Sequence, residues 1–338
     1  MIKFDEAVAH KLVVHKVTDD INTCVTAQQT TMINDDDEND IIKNIFGKPF
    51  NKALITHEFT HEVSKDLNVL NKLSPSLFNE EQFFDTSINI LKHLVDVSKH
   101  HNINEGELVI IHFDNIIFEN KTYEAVGIYK IEDRTNFVTT DENDKANLSF
   151  KKGINHSVIN KAGLILNTPD DFTILIFNNK DAAYWSEDFF NVKSKDDDIN
   201  LTNTYLKMTK HFIAKSMPNE YEVSRTEQID LLNKSIEYFK DNEQFVEEEF
   251  VNNVFEDKSV IDSFAAFKTE YGEKAEEPIG KSFDIAPQIV KKQARTFKSV
   301  LKLDKNFHIY IHGNRDLIEQ GIDERGRRFY KIYYEEES

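Results

Sequence analysis

Between Gln82 and His100, apolar residues recur at helical spacing on two stripes. Phe84, Ile88, Leu91 and Val95 form one, and Phe83, Ile90, Leu94 and Val97 form the other. A helix apolar over so much of its circumference is expected at the centre of a core. Short β-branched runs then follow at 107–113 (ELVIIHF), 123–131 (YEAVGIYKI), 162–167 (AGLILN) and 172–177 (FTILIF). Bounded by Asn, Asp and Gly, they predict strands. The opening segment KFDEAVAHKLVVH (3–15) predicts another, followed by polar chain.

After KSKDDD (193–198) the period changes. Leu201, Tyr205, Met208 and Phe212 step along one helical face, and Ser224 with Glu227 forms a capping box ahead of Ile229, Leu232, Ile236 and Phe239. Two shorter helical runs are expected around Phe245–Phe255 and Val260–Phe267. From about residue 283 strands are expected to return, in FKSVLKL, FHIYIHG and RRFYKIYY. The pattern predicts an α+β chain in three parts with soft boundaries: a mixed N-terminal α/β domain over 1–198, a helical segment over 199–280 and a C-terminal antiparallel β segment over 281–338. There is no repeat at a fixed period, and no Pro/Gly/Ser-rich linker marks a boundary.

Composition supports ordered cores, because 26 Phe and 11 Tyr supply ample apolar area. One cysteine, Cys24, excludes an internal disulfide and suits a reducing compartment. The N-terminal segment lacks a signal-like apolar run, and no stretch approaches the roughly 18–20 apolar residues of a membrane span, so a soluble cytoplasmic protein is expected. Charge is unevenly distributed. Residues 291–334 hold 11 Lys/Arg against 5 Asp/Glu, a net of +6, whereas residues 1–290 carry −22. That asymmetry disfavours phosphate binding by the whole surface and confines an electrostatic footprint to one end.

Motifs for chemistry are few. HEFTH at 57–61 fits the H-E-x-x-H zinc pattern, which on a helix would place His57 and His61 on one face with Glu58 as general base. Glu81 lies where such a peptidase keeps its third ligand, with Asp85 four residues on. Against this, Ala53, Ile55, His57, Phe59, His61 and Val63 alternate with an unbroken polar set. That period favours a strand, on which the two histidines stand about 13 Å apart. NDDDEND (34–40) lacks the glycine and closing glutamate of a calcium loop and is expected to be an acidic surface loop. GKS at 280–282 has Ala275 where a phosphate loop needs glycine, with Glu276 and Glu277 beside it, and is expected to be a turn. Cys24 has no nucleophile context, and His93, His100, His101, His156 and His211 have no metal spacing. No cofactor is implied.

The C-terminal segment offers a different chemistry. On the last strand Arg327, Phe329, Lys331 and Tyr333 share one face, and Arg328, Tyr330, Ile332 and Tyr334 the other. If the three terminal strands pair in one sheet, Lys298, Lys302, Arg327 and Lys331 collect near one surface. With Lys291, Lys292, Arg295, Arg325 and Arg328 they form a candidate nucleic-acid-binding set, cations for phosphates and aromatics for unpaired bases. The bland alternative makes Tyr and Phe core residues and pairs the cations with carboxylates of this chain.

FKSVLKLDKNFHIYIHG, RDLIEQG and FYKIYYEEE together resemble the C-terminus of the bacterial nucleoid-associated protein family, the NdpA/YejK-like proteins. AVAHKL (7–12), the run LFNEEQFFDTSINILKHLVDVSKHHNINEGELVIIHF (77–113), AVGIYKIE (125–132), TYLKMTKHFI (204–213) and FKTEYGEK (267–274) extend the resemblance over nearly the whole chain. It implies a cytoplasmic protein of the nucleoid that binds DNA or DNA-bound proteins and is not an enzyme. Contact with double-stranded DNA at low sequence specificity, through the basic end, is the resulting expectation. An acidic adaptor for a chromosomal protein is the alternative, and a zinc peptidase through His57, Glu58 and His61 a minor one. A homodimer pairing two basic patches would fit the same charge pattern.

Overall fold

The computed structural model describes residues 2–53, 55–98, 104–140, 148–169, 171–178, 183–275, 279–297, 300–311, 317–334 and 336. Two compact units divide the chain, Met1–Lys195 and Asp196–Ser338. The fold is α+β.

In chain order the first unit contains β1 (Val8–Val17), β2 (Thr31–Met32), α1 (Asp36–Ile42), β3 (His57–Phe59), α2 (Val69–Leu77), α3 (Phe83–Ser98), β4 (Gly106–Phe118) and β5 (Lys121–Ile131). Next come β6 (Thr135–Thr140), β7 (Leu148–Gly153), β8 (Lys161–Leu166), β9 (Thr173–Asn178) and β10 (Val192–Ser194). Eight strands form one antiparallel sheet in the order β10-β3-β9-β8-β5-β4-β1-β2. β6 and β7 pair separately as a two-stranded ribbon with Phe150 on its surface.

Residues 125–131 of β5 are buried without a break, because both faces of the sheet are covered. On one face Val126 and Ile128 meet α2 and α3 through Leu70, Leu77, Phe83, Ile90, Leu91, Leu94 and Val95. Each such side chain contributes roughly 1.5–3 kcal/mol by leaving water. Trp185, Phe189 and Phe190 close the same core, and the Phe190 ring lies on Gly163, where a Cβ would come within 2.0 Å of it. On the other face Tyr129 packs against Phe46 and Phe50 and donates its hydroxyl to the Phe46 carbonyl at 3.0 Å.

Several buried polar groups in this unit are individually matched. Lys130, with no exposure, donates to the Asn104 carbonyl at 2.8 Å and lies 4.0 Å from Glu132. Burial pushes its amine down to about 8. His15 joins a directed chain. The Ala27 N–H donates to its Nδ1, its Nε2–H donates to Ser87 Oγ, and that hydroxyl donates to the Phe84 carbonyl. A second ring proton would face the Ala27 N–H, and burial holds this imidazole down to about 4.

One sequence expectation fails here. NDDDEND is not a loop: Asp35 caps α1 by accepting from the Asp37 and Glu38 N–H groups, and Asp36, Asp37 and Glu38 occupy its first turn. Carboxylates at a helix N-terminus offset the helix dipole, so an acidic run starts a helix.

The second unit contains α4 (Asp198–His211), α5 (Met217–Glu220), α6 (Arg225–Asp241), β11 (Gln244–Val246), α7 (Glu247–Val254), α8 (Lys258–Ala275), β12 (Ser282–Asp284) and α9 (Pro287–Ala294). The hairpin strands β13 (Val300–Leu303), β14 (Phe307–Tyr310), β15 (Ile318–Ile322) and β16 (Arg328–Ile332) complete it. Tyr205 of α4, Phe245 of β11, Phe250 of α7 and Phe283 of β12 make an aromatic centre, with the Phe245 and Phe283 rings stacked at 4.7 Å. Ser224 and Glu227 form the capping box of α6.

Two further expectations fail. Residues 287–294 are helical rather than strand-like, because Pro287 presets the first turn and Ile289, Val290 and Gln293 are buried together. Gln293 donates to Asn203 Oδ1 at 2.6 Å, which ties the helix to α4. The terminal strands also do not share a sheet: β13 pairs β14 and β15 pairs β16, in two separate hairpins.

Because the unfolded His15 titrates near 6.5, acidification protonates the unfolded chain before the folded one. This residue therefore costs nothing above about pH 6.5 and lowers stability progressively as pH falls toward 4. Urea unfolding followed at the buried Trp185 is expected to lose stability between about pH 6.5 and pH 5, roughly 1.5 kcal/mol of it through His15; an unchanged midpoint would refute the linkage. Ser224→Ala is expected to cost about 1 kcal/mol of unfolding free energy, read from the shift in a denaturant midpoint.

Candidate nucleic-acid interface

The two terminal hairpins rest on a small apolar cluster. Ile229 of α6, Leu301 of β13 and Ile311 are buried there, with Leu303, Ile309, Ile318 and Tyr330 packed around them. Leu301 faces Ile309 across the first hairpin, so the alternate residues Lys302 and His308, themselves a cross-strand pair, stand on the outer face with Tyr310. In the second hairpin Ile318 and Tyr330 point to the cluster. The Glu319–Lys331 and Gly321–Phe329 pairs therefore share the outer face.

Asp323 builds the turn between β15 and β16. Its carboxylate accepts from the backbone N–H groups of Arg325 and Arg327 and from the Arg327 guanidinium, at 2.9, 2.8 and 2.8 Å. The Arg327 N–H and these other donors hold it below the usual aspartate range. Gly326 has φ +78°, a left-handed conformation that glycine adopts at no steric cost. On the outer face Lys331 lies 3.6 Å from Glu319 and 4.7 Å from the centre of the Tyr333 ring, and the Tyr333 hydroxyl donates to Glu319 at 2.7 Å. Tyr333 and Glu319 raise the Lys331 ammonium above its ordinary value.

The predicted cations separate into three groups. Lys291, Arg295, Lys302, Arg325 and Arg328 are exposed, and no carboxylate among the described residues pairs with their side chains. Arg327 and Lys331 are exposed but ion-paired. Lys292 is half-buried, and desolvation lowers its amine. Lys298 lies outside the described residues. Lys291 and Lys292 stand in the last turn of α9, not on a strand, where cations suit the helix dipole. The aromatics are mostly not core: Phe307 is 63%, Tyr310 66% and Tyr334 69% exposed, and only Tyr330 turns into the apolar cluster.

HEFTH does not form the helix that a shared metal requires. His57–Phe59 is extended, pairing with β10, and the Thr60 N–H continues that pairing to the Asn191 carbonyl. Each polar group has another partner. The half-buried His57 approaches the Ile174 carbonyl through Nδ1 at 3.4 Å, Glu58 pairs with Lys193 at 3.0 Å, and His61 Nδ1 accepts from the Val63 N–H at 3.2 Å. Glu81 sits in the Asn79 turn, and Asp85 in the first turn of α3. No group of three or more His, Cys, Asp or Glu among the described residues is placed to hold a metal ion. No described helix is long and apolar enough to cross a membrane.

Sequence reasoning missed the role of Gly321, over which the Phe329 ring lies; a Cβ there would come within 2.6 Å of the ring. The available signal was a glycine within a strand pattern, which marks a close approach. It also missed the β6–β7 ribbon.

In this acidic α+β chain, exposed cations and aromatics gather on the terminal hairpins. The chain belongs to the family of the nucleoid-associated protein YejK, whose pattern it matches over residues 8–337. Comparison with curated proteins and with solved structures returned no match.

Among the described residues the cluster beneath the hairpins is much smaller than the core beneath β4 and β5, so its opening free energy should be lower. In hydrogen exchange, the amides of β15 and β16 are expected to exchange well before those of β4 and β5. Equal protection would show that the hairpins open only with global unfolding.

Proposed function

We propose that this nucleoid-associated protein contacts DNA directly, through the cations of residues 291–331, with low sequence specificity. The observation that carries this reading is the set of five exposed cations, Lys291, Arg295, Lys302, Arg325 and Arg328, without a carboxylate partner among the described residues. An unpaired cation meets a phosphate directly and releases counterions from DNA, whereas an exposed paired one must first exchange a weak carboxylate partner. The acidic remainder does not prevent this. At physiological salt the Debye length is about 8 Å, so a phosphate at the hairpins responds mainly to charges within about that distance. The acidic surface instead restricts contact to one end of the sequence. Phosphate contacts position a protein and carry no base information, hence the low specificity.

Duplex binding is expected to weaken linearly in log affinity with log salt. Lys302→Glu, Arg325→Glu and Arg328→Glu combined should lower that slope by about 1 per cation and reduce affinity at low salt at least tenfold. Unchanged binding by the triple variant would remove this surface as the contact. Retention on the nucleoid by that variant, with no DNA affinity of its own, would favour the adaptor reading, in which a chromosomal protein is the partner.

A further inference from the structure

The outer face of the second hairpin carries a row whose order suits one form of DNA better than another. Residues two apart on a strand share a face and recur about every 6.8 Å, so Arg327, Phe329, Lys331 and Tyr333 form a line of cation, ring, cation and ring. Phe329 is held in an unusual way. Its cross-strand partner is Gly321, and the ring lies against that glycine so closely that any Cβ would collide with it. The tip of the ring thus occupies the space a side chain at position 321 would need, while the side chain remains 40% exposed. Tyr333, 44% exposed, is fixed at the other end of the row by its hydroxyl bond to Glu319 and by the Lys331 ammonium over its ring. Asp323 and Glu319 likewise hold Arg327 and Lys331 along the face, and exposed ion pairs of this kind are weak enough for a phosphate to displace the carboxylate.

An undistorted duplex offers such rings little. Its bases are stacked on one another, and it offers a protein only groove edges and phosphates. An unpaired strand offers base faces and phosphates in alternation, and every base has a π-face to stack. We propose that the β15–β16 face is a single-stranded DNA platform, with Phe329 and Tyr333 stacking on bases, Lys331 between them meeting the intervening phosphate and Arg327 the phosphate beside Phe329. This inference rests on the reading that the C-terminal cations contact DNA, and adds that the protein prefers DNA whose strands have separated.

The test compares the full chain and its variants on a labelled single strand and on the duplex of the same sequence, across a salt series. Wild type is expected to bind the single strand more tightly, by roughly tenfold or more. Phe329→Ala should abolish that preference while leaving duplex affinity within about twofold. Phe329→Leu still covers Gly321 but lacks a π-face, so it should behave like the alanine variant. Phe329→Trp should retain the preference, and its fluorescence, beside that of the buried Trp185, should be quenched by the single strand and not by the duplex. Equal affinity of wild type for the two forms, or full single-strand binding by Phe329→Leu, would overturn the platform and leave duplex contact standing. No binding to either form at low salt would instead overturn the underlying reading, and the platform with it. Tighter binding to the RNA version of the strand would overturn the assignment to DNA.

Discussion

The first unit depends on a sheet that must be covered on both sides at once. Along residues 125–131 of β5 every side chain is buried, so neither the α2–α3 layer nor the Phe46–Phe50 segment can be removed without exposing half of one strand. This constraint dictates the polar chemistry as well. Lys130 cannot reach water and ends on a carbonyl, and Tyr129 ends on another. Burial keeps His15 neutral, with its two nitrogens given to one donor and one acceptor. Such groups cost several kcal/mol when unmatched, so their partners fix the register of the layers as firmly as the apolar contacts do.

The second unit divides its labour differently. Its aromatic centre is built from Tyr205, Phe245, Phe250 and Phe283, and the aromatics that remain on the hairpins are left on the surface. Tyr and Phe therefore serve two ends in one unit, and the backbone around them decides which. Phe245 is fully buried among other rings, whereas Phe329 lies against Gly321 and stays 40% exposed. Charge follows the same partition. Asp323 and Glu319 order the cations of one face, and the turn leaves Arg325 and Arg328 without such partners among the described residues.

Much of this was legible in the sequence because it rests on period. The two apolar stripes of 82–100 gave α3, the runs at 107–131 gave β4 and β5, and Ser224 with Glu227 gave the start of α6. The alternation across 53–64 correctly outweighed the HEFTH pattern, since motif letters carry no geometry without the helix that superposes them. What failed did so for local reasons. An acidic run read as a loop became α1 because carboxylates favour a helix start, and 287–294 became a helix because Pro287 set its first turn. The pairing of the last four strands into two hairpins was not legible, since strand period alone does not choose partners. Nor was the seat of Phe329, a contact between a ring and a missing side chain eight positions away.

The thinness of the cluster formed by Ile229, Leu301 and Ile311 has a consequence for how this protein can change over generations. Surface substitutions away from a core shift stability by about half a kcal/mol or less. The outward positions of β14 and β16 can therefore accept new side chains while the large core of the first unit is untouched. Selection acting on what the hairpins bind is thus largely uncoupled from selection for folding. Divergence among relatives should accordingly concentrate on exposed residues such as Phe307, Tyr310 and Arg328, while Leu301 and Tyr330 of the apolar cluster drift slowly.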